Sequence, residues 1–271
     1  MPLPPPPTLH VVGSASIWVL GQVAGPRRTA TVLHAGTDAV YLDLEGACLA
    51  VLAARAVQVP CGVRTLLPRL PEVEAGTAAS VHDGSVIVPG CEVLVTNIVD
   101  TTVPVLGADD TAWGAEQLAT LVKERLDPVS GLLPPGALRL LADGDAAVVE
   151  RLLGLGPGLT PVGDDVLAGW LATAVACRHP HLPRLRSTVA LAASERTSVL
   201  SATLLACAAR GEGVPEFRSL LIGVATRNLD VLDQSLELML RIGDTSGAGL
   251  VLGSLAALTS ATTPSTPGAA S

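Results

Sequence analysis

The sequence has very few aromatic residues and almost no lysine. Phe, Trp and Tyr make up 2% of its 271 residues, and Lys123 is the single lysine. Nucleic-acid surfaces need a basic stripe or aromatic stacking platforms, and the net charge here is −8. We therefore expect no nucleic-acid partner, and any bound anion must be held by a local site.

A long apolar run is also missing, although 49% of the residues are hydrophobic. The uncharged stretch 166–177 is shorter than the roughly 20 residues that a membrane helix needs. The N-terminal MPLPPPPTLH has no basic region and does not resemble a signal peptide. We expect a cytoplasmic protein with no membrane partner.

Cysteine motifs are absent as well. The five cysteines are scattered and contain no CxxC pair, so we interpret them as reduced and mostly buried thiols. His179 and His181 flank Pro180. They could bind a metal, although a polar connection between helices explains them equally simply.

The first hundred residues have the pattern of β-strands. VVGSASIWVLG, ATVLHA, AVYLDLEG and ACLAVLAA are apolar or β-branched runs separated by glycine-bearing turns. Asp83 and Gly84 predict a hairpin turn. These features favour a small antiparallel β-barrel or sandwich over 10–107, preceded by a disordered Pro-rich tail over 1–9.

The remainder of the chain has helical periodicity. Helices are predicted over 182–194, 197–210, 216–224 and 228–241, with earlier ones before and after a glycine-rich stretch. We assign 108–258 to a helical bundle and 259–271, rich in Ala, Ser, Thr and Pro, to a disordered tail. The predicted fold class is α+β.

The most informative stretch is GLGPGLTPVGDD, residues 154–165, with four glycines and two prolines. A helix over 145–153 precedes it, and Thr160 is predicted to cap a second helix that begins at Pro161. An apolar stripe through Leu167, Trp170 and Leu171 follows. Such a loop at a helix N-terminus offers unpaired N–H groups to an anion.

Two familiar phosphate loops do not fit this stretch. A dinucleotide-binding fingerprint needs a preceding strand, and a P-loop needs Lys where Asp164 follows Gly163. Asp164 and Asp165 would repel a phosphate unless a cation lay between them, which suggests Mg²⁺ or a neutral amide ligand. Alternatively, both acids only complement the helix dipole and the glycines allow tight packing.

Two further stretches carry polar groups at helix starts. RTSVLSATLLACAARGE places Thr197 and Ser201 four residues apart with Arg196 before them, which could hold a carboxylate or phosphate. GDTSGAGLVLG, 243–253, offers Asp244, Thr245 or Ser246 as helix caps. Backbone-directed hydroxyls and close helix crossings are the structural alternatives.

Together the three stretches resemble the bacterial family that includes the smallest subunit of oxamate carbamoyltransferase. The resemblance covers chiefly 152–258. It implies a part, alongside two larger subunits, in the phosphorolysis of oxalurate to oxamate and carbamoyl phosphate during purine-ureide (allantoin) breakdown. One position departs from the pattern, because Gly249 stands where an acid is expected.

On this basis we predict the site residues by role. Asp164, Asp165 and Arg196 are the candidate catalytic residues, and the two aspartates are also the candidate Mg²⁺ ligands. The candidate residues for binding phosphate or another small anionic substrate are Gly154, Gly156, Gly158, Thr160, Gly163, Thr197, Ser201, Asp244, Thr245, Ser246 and Gly247.

Two other functions stay open at this point. The chain could be a non-catalytic docking subunit whose glycines and small residues contact a catalytic partner. It could also be a phosphotransferase that uses carbamoyl phosphate, although no lysine follows any of its glycine-rich loops.

Overall fold

The fold was analysed in a computed structural model, which describes residues 8–262. The described chain divides into two compact units, one of 8–101 with 202–204 and one of 102–201 with 205–262. The division after Thr101 lies six residues before the predicted domain boundary. Most of the predicted tail 1–9, and all but four residues of the predicted tail 259–271, lie outside the described residues.

Within residues 8–262, the first unit forms a closed eight-stranded barrel. Its strands are β1 (Leu9–Ala15), β2 (Arg28–Ala35), β3 (Ala39–Leu44), β4 (Ala47–Leu52), β5 (Gly62–Thr65), β6 (Ala78–His82), β7 (Ser85–Val88) and β8 (Cys91–Ile98). Their spatial order is β1-β5-β4-β3-β2-β6-β7-β8, and β8 pairs with β1 to close the barrel. The predicted barrel is confirmed, but the β1–β8 and β4–β5 pairings are parallel.

Alternation of side chains builds the barrel interior. In β3, Val40, Leu42 and Leu44 are buried while the residues between them are partly exposed, as the two-residue period of a strand requires. Asp83 and Gly84 both have positive φ, 48° and 85°, which gives the predicted two-residue turn between β6 and β7. The hydrophobic pattern and the turn residues therefore determine this unit together.

The prediction of one continuous strand through VVGSASIWVLG is wrong. The strand β1 ends at Ala15, and Ile17–Val23 form the helix α1. The hydroxyl of Ser16 accepts a hydrogen bond from the Val19 N–H at 3.2 Å, so Ser16 caps the helix. The apolar run hid this helix because it has no polar face to reveal a helical period.

The second unit is helical. Its α-helices are α2 (Ala108–Val122), α3 (Asp127–Ser130), α4 (Ala137–Ala142), α5 (Ala147–Leu152), α6 (Val162–Ala176), α7 (Leu182–Arg196), α8 (Val199–Ala209), α9 (Pro215–Ala225), α10 (Leu229–Met239) and α11 (Ser246–Thr262), and a 3₁₀ helix covers Lys123–Leu126. No helix of the described chain has both the length and the apolar character of a membrane span.

The centre of this unit is the contact between α6 and α11. The helix α6 is buried all round, apart from the half-buried Val175, so the predicted single apolar stripe understates its burial. A Cβ at Gly169 would lie 2.0 Å from the Leu250 carbonyl oxygen, and one at Gly253 would lie 2.0 Å from that of Val166. The two backbones touch at these glycines, and no side chain fits there.

The helix α11 also extends further than predicted. It continues through Thr262, so 259–262, the described part of the predicted C-terminal tail, is helical. Within this turn the Ser260 hydroxyl donates to the Ala256 carbonyl at 2.8 Å and forms a 2.9 Å hydrogen bond with His179 Nε2. Tertiary contact therefore overrides a composition that is typical of disorder.

Candidate functional site

The glycine-rich loop joins α5 to α6, as the sequence predicts. Its glycines 154, 156 and 158 have φ of 77°, 110° and 94°, a left-handed conformation that residues with a Cβ rarely adopt. A Cβ at Gly154 would lie 2.2 Å from the Arg196 carbonyl oxygen, whereas one at Gly158 would meet nothing within 4 Å. Gly154 is needed for packing, and Gly158 leaves bare main chain facing open space.

The cap of α6 differs from the prediction. Pro161, not Thr160, is the N-cap residue, with φ −56° and ψ 142°. Its carbonyl accepts the N–H groups of Asp164 and Asp165 at 2.9 and 3.1 Å. Thr160 lies one residue earlier, and its hydroxyl forms a 3.0 Å hydrogen bond with the Ser246 hydroxyl at the start of α11. The threonine therefore joins two helix starts instead of capping one.

The Asp164 carboxyl group accepts three hydrogen bonds from the protein. Its Oδ1 accepts the Gly154 N–H at 2.7 Å, and its Oδ2 accepts the hydroxyl groups of Thr197 and, at 2.6 Å, Ser201. The side chain is 1% exposed. Asp164 thus joins the start of the loop to the end of α7 and the first turns of α8.

Asp165 is buried but incompletely bonded. It is 7% exposed, and its Oδ2 has no hydrogen-bond partner among the described residues. Burial raises the pKa of its carboxyl from 3.8 to about 7, while a hydrogen bond with Ser246 lowers that pKa and the neighbouring Asp164 raises it. A buried acceptor without a partner is costly, so this oxygen is a candidate for contact with a ligand.

Gly249 lies directly against Asp165. A Cβ at position 249 would lie 2.9 Å from the Asp165 Cβ and 3.3 Å from the Val162 carbonyl oxygen. The residue that departs from the expected motif is therefore a neighbour of the candidate site. Any side chain at this position would push α11 away from the start of α6.

Three helix starts surround the loop. The Ser198 hydroxyl caps α8 by accepting the Ser201 N–H at 3.0 Å, and it donates to the Leu159 carbonyl at 2.6 Å. Thr160 and Ser246 link the starts of α6 and α11. Aligned peptide dipoles give each helix start a partial positive charge. The loop therefore lies where three such charges combine.

Several loop N–H groups have no acceptor. Within residues 8–262 no hydrogen bond is formed by the N–H groups of Gly156, Gly158, Leu159, Thr160 and Val162. Gly163 differs, because its N–H donates to the Leu155 carbonyl at 3.0 Å. Unpaired N–H groups next to helix starts are the usual elements of an anion site.

Arg196 and its neighbours are arranged differently from the prediction. Arg196 ends α7 and does not start a helix, and its guanidinium donates to the Glu150 carbonyl at 2.8 Å. Thr197 caps the C-terminus of α7, and only Ser201 belongs to α8. The two hydroxyls meet because both reach Asp164, not because they share a helical face.

Some residues of the third stretch, 243–253, lie at the candidate site, and others pack against neighbouring main chain. Ser246 contacts Asp165 and Thr160. Gly247 packs so closely that a Cβ there would lie 1.7 Å from the Met239 carbonyl oxygen, and the Thr245 carbonyl accepts the Gly249 N–H at 2.8 Å. Asp244 is exposed. The functional roles of these residues stay predictions.

Ser198 and Leu159 were missed by sequence reasoning. Ser198 could have been found, because a serine directly before the apolar Val199 and Leu200 is typical of an N-cap. The role of the Leu159 carbonyl depends on tertiary contact and leaves no sequence signal. As for metals, no group of three or more His, Cys, Asp and Glu within 8–262 is arranged to hold an ion.

Comparison with known proteins adds one finding. Residues 152–258 match the family described as oxamate carbamoyltransferase subunit AllH. No curated protein and no solved structure gave a match. The matched segment begins at the last residue of α5 and includes the loop, α6 with both aspartates, and α11 through Leu258. The segment 152–258 is therefore similar to the AllH family of oxamate carbamoyltransferase subunits, the family that the three stretches resemble.

Proposed function

We propose that this chain is a subunit of a carbamoyltransferase that acts on oxalurate, and that the loop 154–161 with the starts of α6, α8 and α11 forms its substrate site. The family match supports a subunit of such an enzyme and therefore protein partners, which we propose to be two larger subunits. We further propose that this subunit takes part in catalysis, that oxalurate is the substrate, and that the reaction belongs to purine-ureide breakdown.

One observation carries the catalytic role: the unpartnered Oδ2 of Asp165. This oxygen is buried in the first turn of α6, the helix that directly follows the loop, and several N–H groups of the loop also lack acceptors within 8–262. A ligand that both donates and accepts hydrogen bonds would satisfy the Asp165 oxygen and the loop N–H groups at once. Carbamoyl phosphate and oxalurate are such ligands, because each carries an NH₂ group next to carbonyl or anionic oxygens.

The proposed reaction is the transfer of the carbamoyl group to phosphate. A phosphate oxygen attacks the carbamoyl carbon of oxalurate, the bond from that carbon to the oxamate nitrogen breaks, and the nitrogen takes up the proton of the phosphate. The loop N–H groups hold the phosphate, and Asp165 accepts a hydrogen bond from the carbamoyl NH₂. Orientation of this kind is a large part of catalysis in group transfer.

The predicted roles of Arg196 and Mg²⁺ are retained as proposals. Arg196 is exposed and donates one Nη2 N–H to the Glu150 carbonyl, so its other guanidinium N–H groups could pair with a substrate carboxylate. If Mg²⁺ takes part, Asp165 Oδ2 is the free carboxylate oxygen for it, since Asp164 already accepts three hydrogen bonds. A single carboxylate with phosphate oxygens and water is an ordinary Mg²⁺ environment.

The test is turnover by the complex assembled with its two larger subunits. Carbamoyl phosphate formation from oxalurate and phosphate should fall by about 100-fold or more in Asp165→Asn, which removes a transition-state contact. Asp230→Asn is the matched control, because Asp230 is also an acid in the first turn of a helix but is exposed. Its turnover should equal that of the wild type.

Unchanged turnover in Asp165→Asn would favour the non-catalytic alternative. That alternative has support of its own, because the glycines at 169, 247 and 253 are explained by close packing of main chain. In that case the three stretches would shape a docking subunit, and the reaction would take place on a partner.

A further inference from the structure

We propose that Asp164 is a positioning residue that holds the glycine-rich loop in its binding conformation and does not itself contact the ligand. This inference rests on the proposed function, because it assumes that the loop binds the substrate. It divides the two adjacent aspartates between two tasks. Asp165 faces the ligand, and Asp164 fixes the main chain that binds the ligand.

The first step of the argument is the bonding of the Asp164 carboxyl group. A carboxylate offers about four acceptor positions on its two oxygens. Gly154, Thr197 and Ser201 occupy three of them, and the side chain is 1% exposed. A ligand could reach Asp164 only by displacing one of these donors.

The second step of the argument is the position of these three donors in the fold. Gly154 is the first residue of the loop and has a φ of 77°. Its Cα lies so close to the end of α7 that a Cβ would be 2.2 Å from the Arg196 carbonyl oxygen. Thr197 follows Arg196 directly, and Ser201 is in α8. The carboxyl group therefore holds the start of the loop against two helices.

The third step compares the two ends of the loop. The far end is held separately, by Ser198 on the Leu159 carbonyl and by Ser246 on Thr160. The middle residues Gly156 and Gly158 are exposed, and their N–H groups have no acceptor within 8–262. The Leu155 carbonyl also accepts the Gly163 N–H at 3.0 Å, so the Gly154 contact is one of the few bonds that position the middle. Its release would loosen the binding N–H groups.

The test uses two buried serines that differ in this one respect. Ser201→Ala removes a hydroxyl that donates to Asp164, whereas Ser254→Ala removes a buried hydroxyl that accepts from Thr173 at 2.8 Å. Hydrogen exchange of the Gly154 amide in the free protein should become about tenfold faster in Ser201→Ala than in Ser254→Ala. Binding of inorganic phosphate, followed by thermal unfolding, should weaken about tenfold in Ser201→Ala alone.

Restoration of the hydroxyl gives the second arm. Ser201→Thr keeps the donor and should return the Gly154 amide to wild-type exchange. Equal exchange of that amide in Ser201→Ala and Ser254→Ala would overturn the positioning role, whatever the activity. The exchange measurement needs no ligand, so its outcome is independent of the turnover test on Asp165. Faster exchange with unchanged phosphate affinity would also overturn the role, because the loop would then bind without being held.

Discussion

The most tightly packed glycines differ between the two units: in the barrel unit they meet side chains, whereas in the helical unit several lie where two backbones meet. Gly25 and Gly46 have positive φ and open space around them, and the closest contacts of Gly13 and Gly62 are side-chain carbons. In the helical unit, a Cβ at position 163, 169, 247 or 253 would lie 2.0 Å or less from a carbonyl oxygen. Side chains can adjust to a new methyl group, but paired backbones cannot.

The two units also differ in whether they bury acidic side chains. Asp164 and Asp165 are the two buried acidic residues among those whose burial the structure describes, and both belong to the helical unit. The barrel core is a cluster of aliphatic side chains with Cys91. The helical unit therefore tolerates fewer substitutions than the barrel unit, and burial of its two acids costs free energy. In return its polar groups are held in fixed positions, which is what a binding site requires.

Replacement of Asp165 by Asn should give the largest effect on stability. The pKa of Asp165 in the folded protein, about 7, lies above the ordinary 3.8, so the folded state holds the proton more tightly than the unfolded chain. The resulting contribution to stability is complete below pH 3.8 and is lost as the pH rises to about 7. At about 1.4 kcal/mol per pKa unit, the loss amounts to several kcal/mol.

Urea unfolding of wild type and Asp165→Asn, in steps between about pH 4 and about pH 8, measures this contribution. The stability of the wild type relative to the variant should decrease as the pH rises. Asp230→Asn, which changes an exposed acid, should run parallel to the wild type. A constant difference between wild type and Asp165→Asn would show that this carboxyl titrates normally.

Gly253→Ala should give the next largest effect. The new methyl group would collide with the Val166 carbonyl and the Trp170 N–H. Overpacking of this kind costs about 1–3 kcal/mol, and here the clashing atoms are main chain. A fall in Tm of roughly 4–10 °C is expected for a chain of this size. A Tm within about 1 °C of the wild type would mean that α6 and α11 are less tightly paired than the structure indicates.

Gly21→Ala should give the smallest effect, with the opposite sign. Gly21 lies within α1, and a Cβ there would meet nothing within 4 Å. Because alanine restricts the unfolded chain and favours helix, the variant should be about 0.5–1 kcal/mol more stable than the wild type. Differential scanning calorimetry would detect the rise in Tm. Destabilisation by this change would remove the contrast between glycine in the two units.

The sequence predicts the β-strands and most helices because their signals are local. Alternation in β3 and the Asp83–Gly84 turn need only a few neighbouring residues. The helix α1 is missed because its run has no polar face, and the cap at Pro161 is misplaced by one residue because Thr160 and Pro161 both carry start signals. Boundaries of this kind depend on which local signal the tertiary contacts select.

The two adjacent aspartates show where sequence reasoning stops. The composition of the loop indicates that Asp164 and Asp165 matter, but their difference depends on donors 10, 33 and 37 residues away from Asp164. The direction of the Arg196 side chain depends on a carbonyl 46 residues earlier. Residue types can therefore locate the candidate site, whereas the task of each residue requires the three-dimensional contacts.

The pairing of β1 with β8 also determines the order in which the barrel can form. The first strand lies between β5 and β8, so during synthesis it has no neighbour until the chain has been made through most of the unit. Contacts so distant in sequence are slow to form, and unpaired strand edges invite aggregation until they do. In the helical unit the single helices form from local contacts, although the central pairing of α6 with α11 also joins residues distant in sequence. We therefore expect refolding of the barrel unit to be limited by its closure, and premature release of the chain before Ile98 to yield an aggregating fragment.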